Sequence, residues 1–332
     1  MNRTEKVLLI YTGGTIGMGR NPQTGALEPF DFNHLTAQMP EFAAVQTDID
    51  VYQFDPPIDS SDMTPDKWVE IVHVIADRYE LYDGFVILHG TDTMAFTASA
   101  LSFLLENLTK PVILTGSQLP IGQLRTDGKE NIVTSIEIAA AHHPDGTPIV
   151  PEVCIYFSGR LLRGNRSTKI DADGFNAFDS FNYHEAYIRK PDYSKPMIPH
   201  YDVDPHVIVF TLFPGLEGDL VADMLKPEKL RSIVMRSYGS GNAPQRPWLI
   251  NLLKEAQEKG VIVVNISQCA EGMVEMARYD TGYQLKSIGV TSGYDSTVEC
   301  ALAKLMYLQG LYKDNKMVRH SMNCNLRGEI TI

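Results

Sequence analysis

Two apolar runs, each ending in a turn of glycine and threonine, constrain this chain more than any other feature. Val7-Leu8-Leu9-Ile10-Tyr11 leads into Thr12-Gly13-Gly14-Thr15-Ile16-Gly17, and Phe85-Val86-Ile87-Leu88 leads into His89-Gly90-Thr91-Asp92-Thr93. A short aliphatic run that stops at glycine reads as a buried strand entering a tight turn. The spacing predicts strands at 6–11, 84–89, 111–115, 152–157, 207–212, 232–236 and 261–265. Helical periodicity fills the gaps. One helix is predicted at 65–82, opening on Pro65 after the capping residue Thr64. Another spans 93–107, with Ala95, Ala98, Leu101 and Leu105 on one face. Others are predicted at 128–141, 246–259 and 295–309. Strand–helix alternation implies an α/β fold with mostly parallel sheets. In such a sheet chemistry collects at the carboxyl ends of the strands, so both turns set a threonine hydroxyl at one edge. Two hydroxyls held together suit nucleophilic acyl transfer, given a group to take their protons.

With 332 residues, one large domain or two ordinary ones are expected. Residues 183–206 hold Pro191, Pro196, Pro199 and Pro205 without periodicity, which reads as a linker or extended connection. The expected division is therefore a larger amino-terminal α/β domain at 1–190, a linker at 191–206 and a smaller carboxy-terminal α/β domain at 207–332. The formal net charge of -12 argues against nucleic acid or an anionic membrane as a partner. Cys154, Cys269, Cys300 and Cys324 form no C-x-x-C pair, which disfavours a disulfide framework and a zinc site. The nine histidines form no H-E-x-x-H set, so no metal is expected. The start of the chain enters a strand without a signal-like apolar stretch, and no run approaches a membrane span. A cytoplasmic protein with reduced thiols is expected.

Each candidate residue has a plainer reading. Thr91 or Asp92 would serve as a helix cap, and the segment Asp59-Ser60-Ser61-Asp62-Met63 ahead of the Pro65 helix has the same N-cap reading. Gly13 and Gly14 permit an awkward backbone, and Thr15 would then cap a short helix. The turn matches neither G-x-G-x-x-G nor the Walker pattern, so nucleotide binding is weakly supported. Lys169 follows Arg163-Gly164-Asn165-Arg166-Ser167-Thr168. A lysine desolvated near the sheet edge can act as a base for a hydroxyl, with Asp92 to hold it. A lysine in a basic stretch is more often solvated or phosphate-binding, and spacing alone favours that plainer reading. Gly116-Ser117-Gln118 is a further strand-end turn, read as lining the same edge. Arg236-Ser237-Tyr238-Gly239-Ser240-Gly241-Asn242-Ala243-Pro244 follows a strand of the second domain and suggests close backbone approach. No G-x-S-x-G elbow is present, which weakens an α/β-hydrolase reading.

Taken in order, the segments at 12–17, 59–63, 89–94, 163–169 and 236–244 resemble the bacterial-type asparaginase family, in its cytosolic type I branch. The resemblance covers nearly the whole chain. It implies two α/β domains and hydrolysis of the side-chain amide of L-asparagine to aspartate and ammonia, with no metal or organic cofactor. It implies Thr15 as the nucleophile that forms an acyl-enzyme. Thr91, Asp92 and Lys169 would then form a proton-handling triad, and backbone amides near Thr91 an oxyanion hole. Asp59, Ser60, Ser61 and Asp92 would bind the charged ends of the substrate. It also implies an intimate homodimer, alone or as a dimer of dimers, with Asn242 as the neighbour's contribution. Thr168, Arg236 and Cys269 match positions of a regulatory asparagine site in some type I relatives. One departure is clear: relatives often carry a tyrosine in the loop after the first turn, and here Gly25-Ala26-Leu27-Glu28-Pro29-Phe30 has none. The competing functions are a glutaminase, an amidase serving tRNA-dependent transamidation, and a non-catalytic amino-acid sensor. Acidic charge and the lack of an added amino-terminal RNA-binding domain count against the tRNA version.

Overall fold

The strand Lys6–Tyr11 (β1) is buried on both faces from Val7 onward because it lies inside a sheet rather than at its edge. The structure is a computed structural model that describes residues 4–20, 24, 27–29, 39–182, 190–278 and 280–332. It divides into two compact units, residues 1–201 and 202–332.

The first unit is built on six strands. After β1 come Asp48–Gln53 (β2), Gly84–Leu88 (β3), Val112–Thr115 (β4), Val153–Phe157 (β5) and Arg160–Arg163 (β6), in the spatial order β2-β1-β3-β4-β5-β6. All neighbours are parallel except β5 and β6, which pair antiparallel. Helices Pro65–Ala76 (α1), Met94–Leu104 (α2) and Gly128–Ala140 (α3) connect the parallel strands. Parallel pairing requires such crossovers, and they bury both sheet faces. One face packs Val7, Leu9, Val86 and Ile113 against Ile132, Ile136 and Ala139 of α3. Strand order reverses at β1, which has β2 on one side and β3 on the other. The crevice beyond the carboxyl ends of β1 and β3 is therefore a topological switch point, where open α/β sheets bind ligands.

The second unit carries Val207–Thr211 (β7), Ser232–Ser237 (β8), Ile262–Ser267 (β9) and Thr291–Ser292 (β10), an all-parallel sheet in chain order. Pro247–Glu258 (α4) packs Leu249, Leu253 and Ala256 into a core with Ile233, Met235 and Val263. Val298–Leu311 (α5) and Asn315–Met322 (α6) complete it. Lys304 of α5 is buried with Glu329 at 2.6 Å and donates to the carbonyl of Met322, anchoring the chain end. No described helix is long and apolar enough to cross a membrane.

The α/β reading with two mostly parallel sheets holds, and individual boundaries move for physical reasons. The helix expected at 65–82 stops at Ala76; Tyr79–Leu81 is a separate tight turn, fixed by the Tyr79 hydroxyl against Thr109 at 2.9 Å. The helix expected at 295–309 begins at Val298, because Thr297 caps it by accepting from the Cys300 amide. Within 190–201, Ile198–Pro199 pairs antiparallel with Leu105–Glu106. Residues 183–189 lie outside the described residues, as does the 25–30 loop apart from Leu27–Pro29.

Candidate active site

Three turns converge at the switch point because glycines let their backbones touch. A methyl group on Gly14 would overlap the backbone of Gly90, one on Gly13 the carbonyl of Ile58, and one on Gly90 the hydroxyl of Ser60. Hydrogen bonds then lock the turns together. The Thr12 hydroxyl donates to the Leu88 carbonyl at 2.9 Å, Ile58 N–H to the Thr12 carbonyl at 2.6 Å, and the Thr93 hydroxyl to the Ser60 carbonyl at 2.7 Å. Thr12 is thus a buried structural member of its turn.

Thr15 opens a short 3-10 turn, Thr15–Gly17, and is half-buried; no side-chain cap bond is made at that turn. Its neighbours place it. Gly14 abuts Gly90, and Ile16 accepts at its carbonyl from Ile121 N–H while its side chain faces Gly128. Thr15 therefore sits between the turn after β3 and the segment after β4. Tyr11 runs beneath this turn, with its hydroxyl against Gly17. Burial pushes that phenol up to about 12, so it keeps its proton and is no base for Thr15 at neutral pH.

Thr91, Asp92 and Lys169 come together. Lys169 Nζ lies 2.9 Å from Thr91 Oγ1 and 2.7 Å from Asp92 Oδ1. Lys169 is largely covered, at 17% exposed, whereas Asp92 is 65% exposed and presents its outer face to solvent. Neither Thr91 nor Asp92 acts as a helix cap: Gly90 holds that position and no side-chain cap bond is made. The Thr91 amide is the first of the helical segment that continues into α2, so it has no intrahelical acceptor.

The route that delivers Lys169 explains the basic segment before it. Strand β6 reverses away from the site edge. Arg163 there grips Glu152 with two bonds of 2.7 Å, so it is neither solvated nor available to phosphate. Gly164 then packs on Ala98 of α2, where a side chain would press on the Ala98 methyl and the Val153 carbonyl. Thr168–Lys169 pairs antiparallel with Phe178–Asp179 and climbs back to the site. Alternation along that short ladder sends Thr168 to the face opposite Lys169.

Gln118 belongs to the site as well. Its Oε1 lies 3.4 Å from Thr91 Oγ1, while its amide nitrogen donates to the carbonyls of Ala172 at 3.3 Å and Gly174 at 3.0 Å. The turn containing Asp59, Ser60 and Ser61 borders the crevice. Asp59 does cap that turn, accepting from Ser61 N and Oγ at 2.9 Å, while Ser60 is buried beside Gly90.

In the second unit, Asn242 closes a tight turn after β8, its N–H donating to the Tyr238 carbonyl at 2.8 Å. Arg236 lies on β8, and its Nε is buried without a partner among the described residues. Cys269 is an exposed free thiol two residues past β9, its amide held by Ser267 Oγ. Among the described residues no group of three or more His, Cys, Asp or Glu is arranged to hold a metal ion.

Profile comparison settles the ancestry. The profile described as "Asparaginase, N-terminal" matches residues 6–194, and "Glutaminase/Asparaginase C-terminal domain" matches 206–322. The chain belongs to the asparaginase family. It is 44% identical to L-asparaginase 1 of Escherichia coli K12, with 98% of each chain covered. It is 38% identical to the 60 kDa lysophospholipase of Mus musculus, over 100% of this chain and 64% of that protein. The crystal structure of L-asparaginase I from Vibrio cholerae superposes with a TM-score of 0.89 at 41% identity, covering 99% of this chain and 100% of that one. The asparaginase fold, a large mostly parallel domain followed by a four-stranded parallel one, is the architecture seen here.

In the sequence of this asparaginase-family chain Gln118 stands out only as a strand-end residue, and nothing marks His89, Thr97 or Trp68 as a linked group. The signal for Gln118 was its position directly after β4. His89 carries none, because its significance lies in a bond to Thr97, 8 residues away, which in turn accepts from Trp68.

Proposed function

We propose that this protein hydrolyses the side-chain amide of L-asparagine to L-aspartate and ammonia, with Thr15 as nucleophile. The observation that carries the reading is the Thr91–Lys169–Asp92 cluster, packed through Gly90 and Gly14 against the turn that bears Thr15. The names of the relatives from Escherichia coli and Vibrio cholerae support the substrate.

In this reading Thr15 Oγ attacks the amide carbon. A carbon–oxygen bond forms as the carbonyl π pair moves onto its oxygen, where the Thr91 backbone N–H stabilises the charge. The threonine proton passes to the departing nitrogen, the carbon–nitrogen bond breaks, and ammonia leaves an aspartyl ester on Thr15. Water then adds to the ester. Thr91 takes the proton from that water as it hands its own hydroxyl proton to the neutral amine of Lys169; the relay then runs back, Lys169 to Thr91 and Thr91 to Thr15 Oγ, as the ester bond breaks. Asp92 orients Lys169. Asp59 and Asp92 attract the substrate ammonium, and Ser60 and Ser61 contribute polar atoms for its carboxylate. Asn242 of the partner subunit completes the pocket in a homodimer or a dimer of dimers. No metal, cofactor, nucleic acid or membrane enters the scheme, and the reaction is placed in the cytoplasm.

The test is ammonia release from L-asparagine. Thr15→Ala and Thr91→Val each lower kcat/KM by at least about 100-fold with an unchanged melting temperature. Wild-type protein that releases no ammonia, or full activity in either variant, overturns the proposal. Tight asparagine binding without turnover identifies a sensor instead. Glutamine serves as the competing substrate, since one methylene is worth only about 1–3 kcal/mol of discrimination.

The same scheme includes activation by a second asparagine at Thr168, Arg236 and Cys269. The buried, unpartnered Arg236 Nε supports an anionic ligand there. A sigmoidal steady-state curve that turns hyperbolic in Arg236→Ala is the expected result, and a hyperbolic wild-type curve rejects it.

A further inference from the structure

We propose that His89 is a positioning residue for the oxyanion-stabilising amide: its imidazole fixes the Gly90–Thr91 peptide so that the Thr91 N–H faces the reacting carbonyl. This inference rests on the hydrolytic reading above.

His89 lies in the turn after β3, buried, and its ring spans two hydrogen bonds. Nδ1 is 2.7 Å from the Gly90 carbonyl oxygen and Nε2 is 2.9 Å from Thr97 Oγ1. Thr97 is buried one turn into α2, and Trp68 Nε1 of α1 reaches its oxygen at 3.1 Å. The chemistry of the groups assigns every proton. A carbonyl only accepts, so Nδ1 carries the ring hydrogen. In a neutral ring Nε2 is then bare and accepts the Thr97 hydroxyl proton, while the Thr97 oxygen also accepts from the Trp68 indole N–H, which can only donate. The result is a directional chain from Trp68 through Thr97 and His89 to the Gly90 carbonyl, in which each donor meets one acceptor. Burial pulls the imidazole down to about 4, in keeping with the neutral ring that this chain requires.

The far end of the chain is the functional one. The Gly90 carbonyl and the Thr91 N–H belong to the same planar peptide, so a bond that fixes the carbonyl also fixes the direction of the N–H. It polarises the amide as well, since linked hydrogen bonds strengthen one another in a low-dielectric interior. On the other side Gly14 packs closely on His89 C, Gly90 N and Gly90 Cα, the peptide just before it. The hydroxyl triad explains how protons move. It gives no reason for an imidazole that touches no substrate and is joined through two helices to one carbonyl. Holding the oxyanion donor supplies that reason.

The experiment compares His89→Leu, which removes the donor, with His89→Asn, whose side-chain amide can still donate to the Gly90 carbonyl. His89→Leu is expected to lower kcat for L-asparagine roughly tenfold with KM within about twofold, less than outright loss of an oxyanion donor. His89→Asn is expected to stay within about threefold of wild type. Nitrogen-15 NMR of the wild-type imidazole should show hydrogen on Nδ1 and none on Nε2, and Thr97→Val should keep the hydrogen on Nδ1, where the Gly90 carbonyl holds it, while shifting the Nε2 resonance as its hydrogen bond is lost. Unchanged kcat in a folded His89→Leu protein, equal losses in both variants, or hydrogen on Nε2 overturns the proposal. If instead the wild type itself fails to turn over asparagine, the hydrolytic reading has failed, and the NMR result still judges the tautomer.

Discussion

Gly14→Ala is the substitution by which the site geometry is most directly tested. Gly14 has φ +93°, a region that side-chain-bearing residues rarely occupy. The added methyl would lie 2.5 Å from Gly90 N and 2.6 Å from Gly90 Cα, both backbone atoms that cannot rotate away. Ordinary contact begins at 3.4 Å, so the two turns must separate by about 0.8–0.9 Å along that direction. The dihedral strain alone is worth about 1–3 kcal/mol. The separation acts on activity, because Thr15 is next to Gly14 and Thr91 is next to Gly90. A displacement of about 1 Å costs on the order of 100-fold in rate. Gly146→Ala supplies the control, since Gly146 has φ +83° and open space around it. Both variants should be destabilised by dihedral strain in urea unfolding. Only Gly14→Ala should lose about two orders of magnitude in kcat/KM for asparagine. If Gly14→Ala keeps wild-type activity, or Gly146→Ala loses as much, the argument that backbone contact aligns the two threonines is wrong.

Two further predictions concern stability. His89 is pulled from 6.5 to about 4 by burial, so between those values the unfolded chain binds a proton that the folded chain refuses. This contribution is fully present above pH 6.5 and is lost as the pH falls toward 4, about 3 kcal/mol in total. Urea unfolding of His89→Leu across this window should show a shallower pH dependence than wild type, and parallel curves would refute the assignment. In the second unit, Lys304 and Glu329 are 1% and 0% exposed, and the Glu329 carboxylate also accepts from the amides of Leu326 and Arg327. Lys304→Met strands that carboxylate and should cost about 3–5 kcal/mol, whereas Lys304→Met with Glu329→Leu should recover much of the loss. A single variant as stable as the double one contradicts this account.

The fold was legible where burial writes itself into residue type. Runs such as Phe85-Val86-Ile87-Leu88 are aliphatic because the strand is covered on both faces. β2 was not legible: Asp-Ile-Asp-Val-Tyr-Gln alternates because it is an edge strand with one face toward solvent. β6, with arginine at both ends, hid for a related reason, since its charges are neutralised by Asp179 and Glu152, far from it in the chain. In the candidate site, Thr15, Thr91 and Asp92 could be found because they follow strands directly. Gln118 and His89 could not be weighed, because their meaning is a hydrogen-bonded partner rather than a residue type.

Lys169 shows why spacing alone points to the plainer reading. It is 77 residues from Asp92 and 78 from Thr91, and the segment before it looks cationic. The fold narrows the ambiguity through three neighbouring groups. Arg163 is spent on Glu152, Gly164 on contact with Ala98, and Thr168 points away from its neighbour along the ladder with Asp179. Lys169 itself is directed at Thr91 and Asp92, on a strand too short to stand without its Phe178–Asp179 partner. A lysine placed by such a detour needs three packing contacts to hold for it to reach Thr91. Chemistry that depended only on positive charge could be served by a lysine on any loop at the rim. The detour is explained if the amine must meet one hydroxyl and one carboxylate at hydrogen-bond distance, which is the requirement of proton transfer and not of charge attraction.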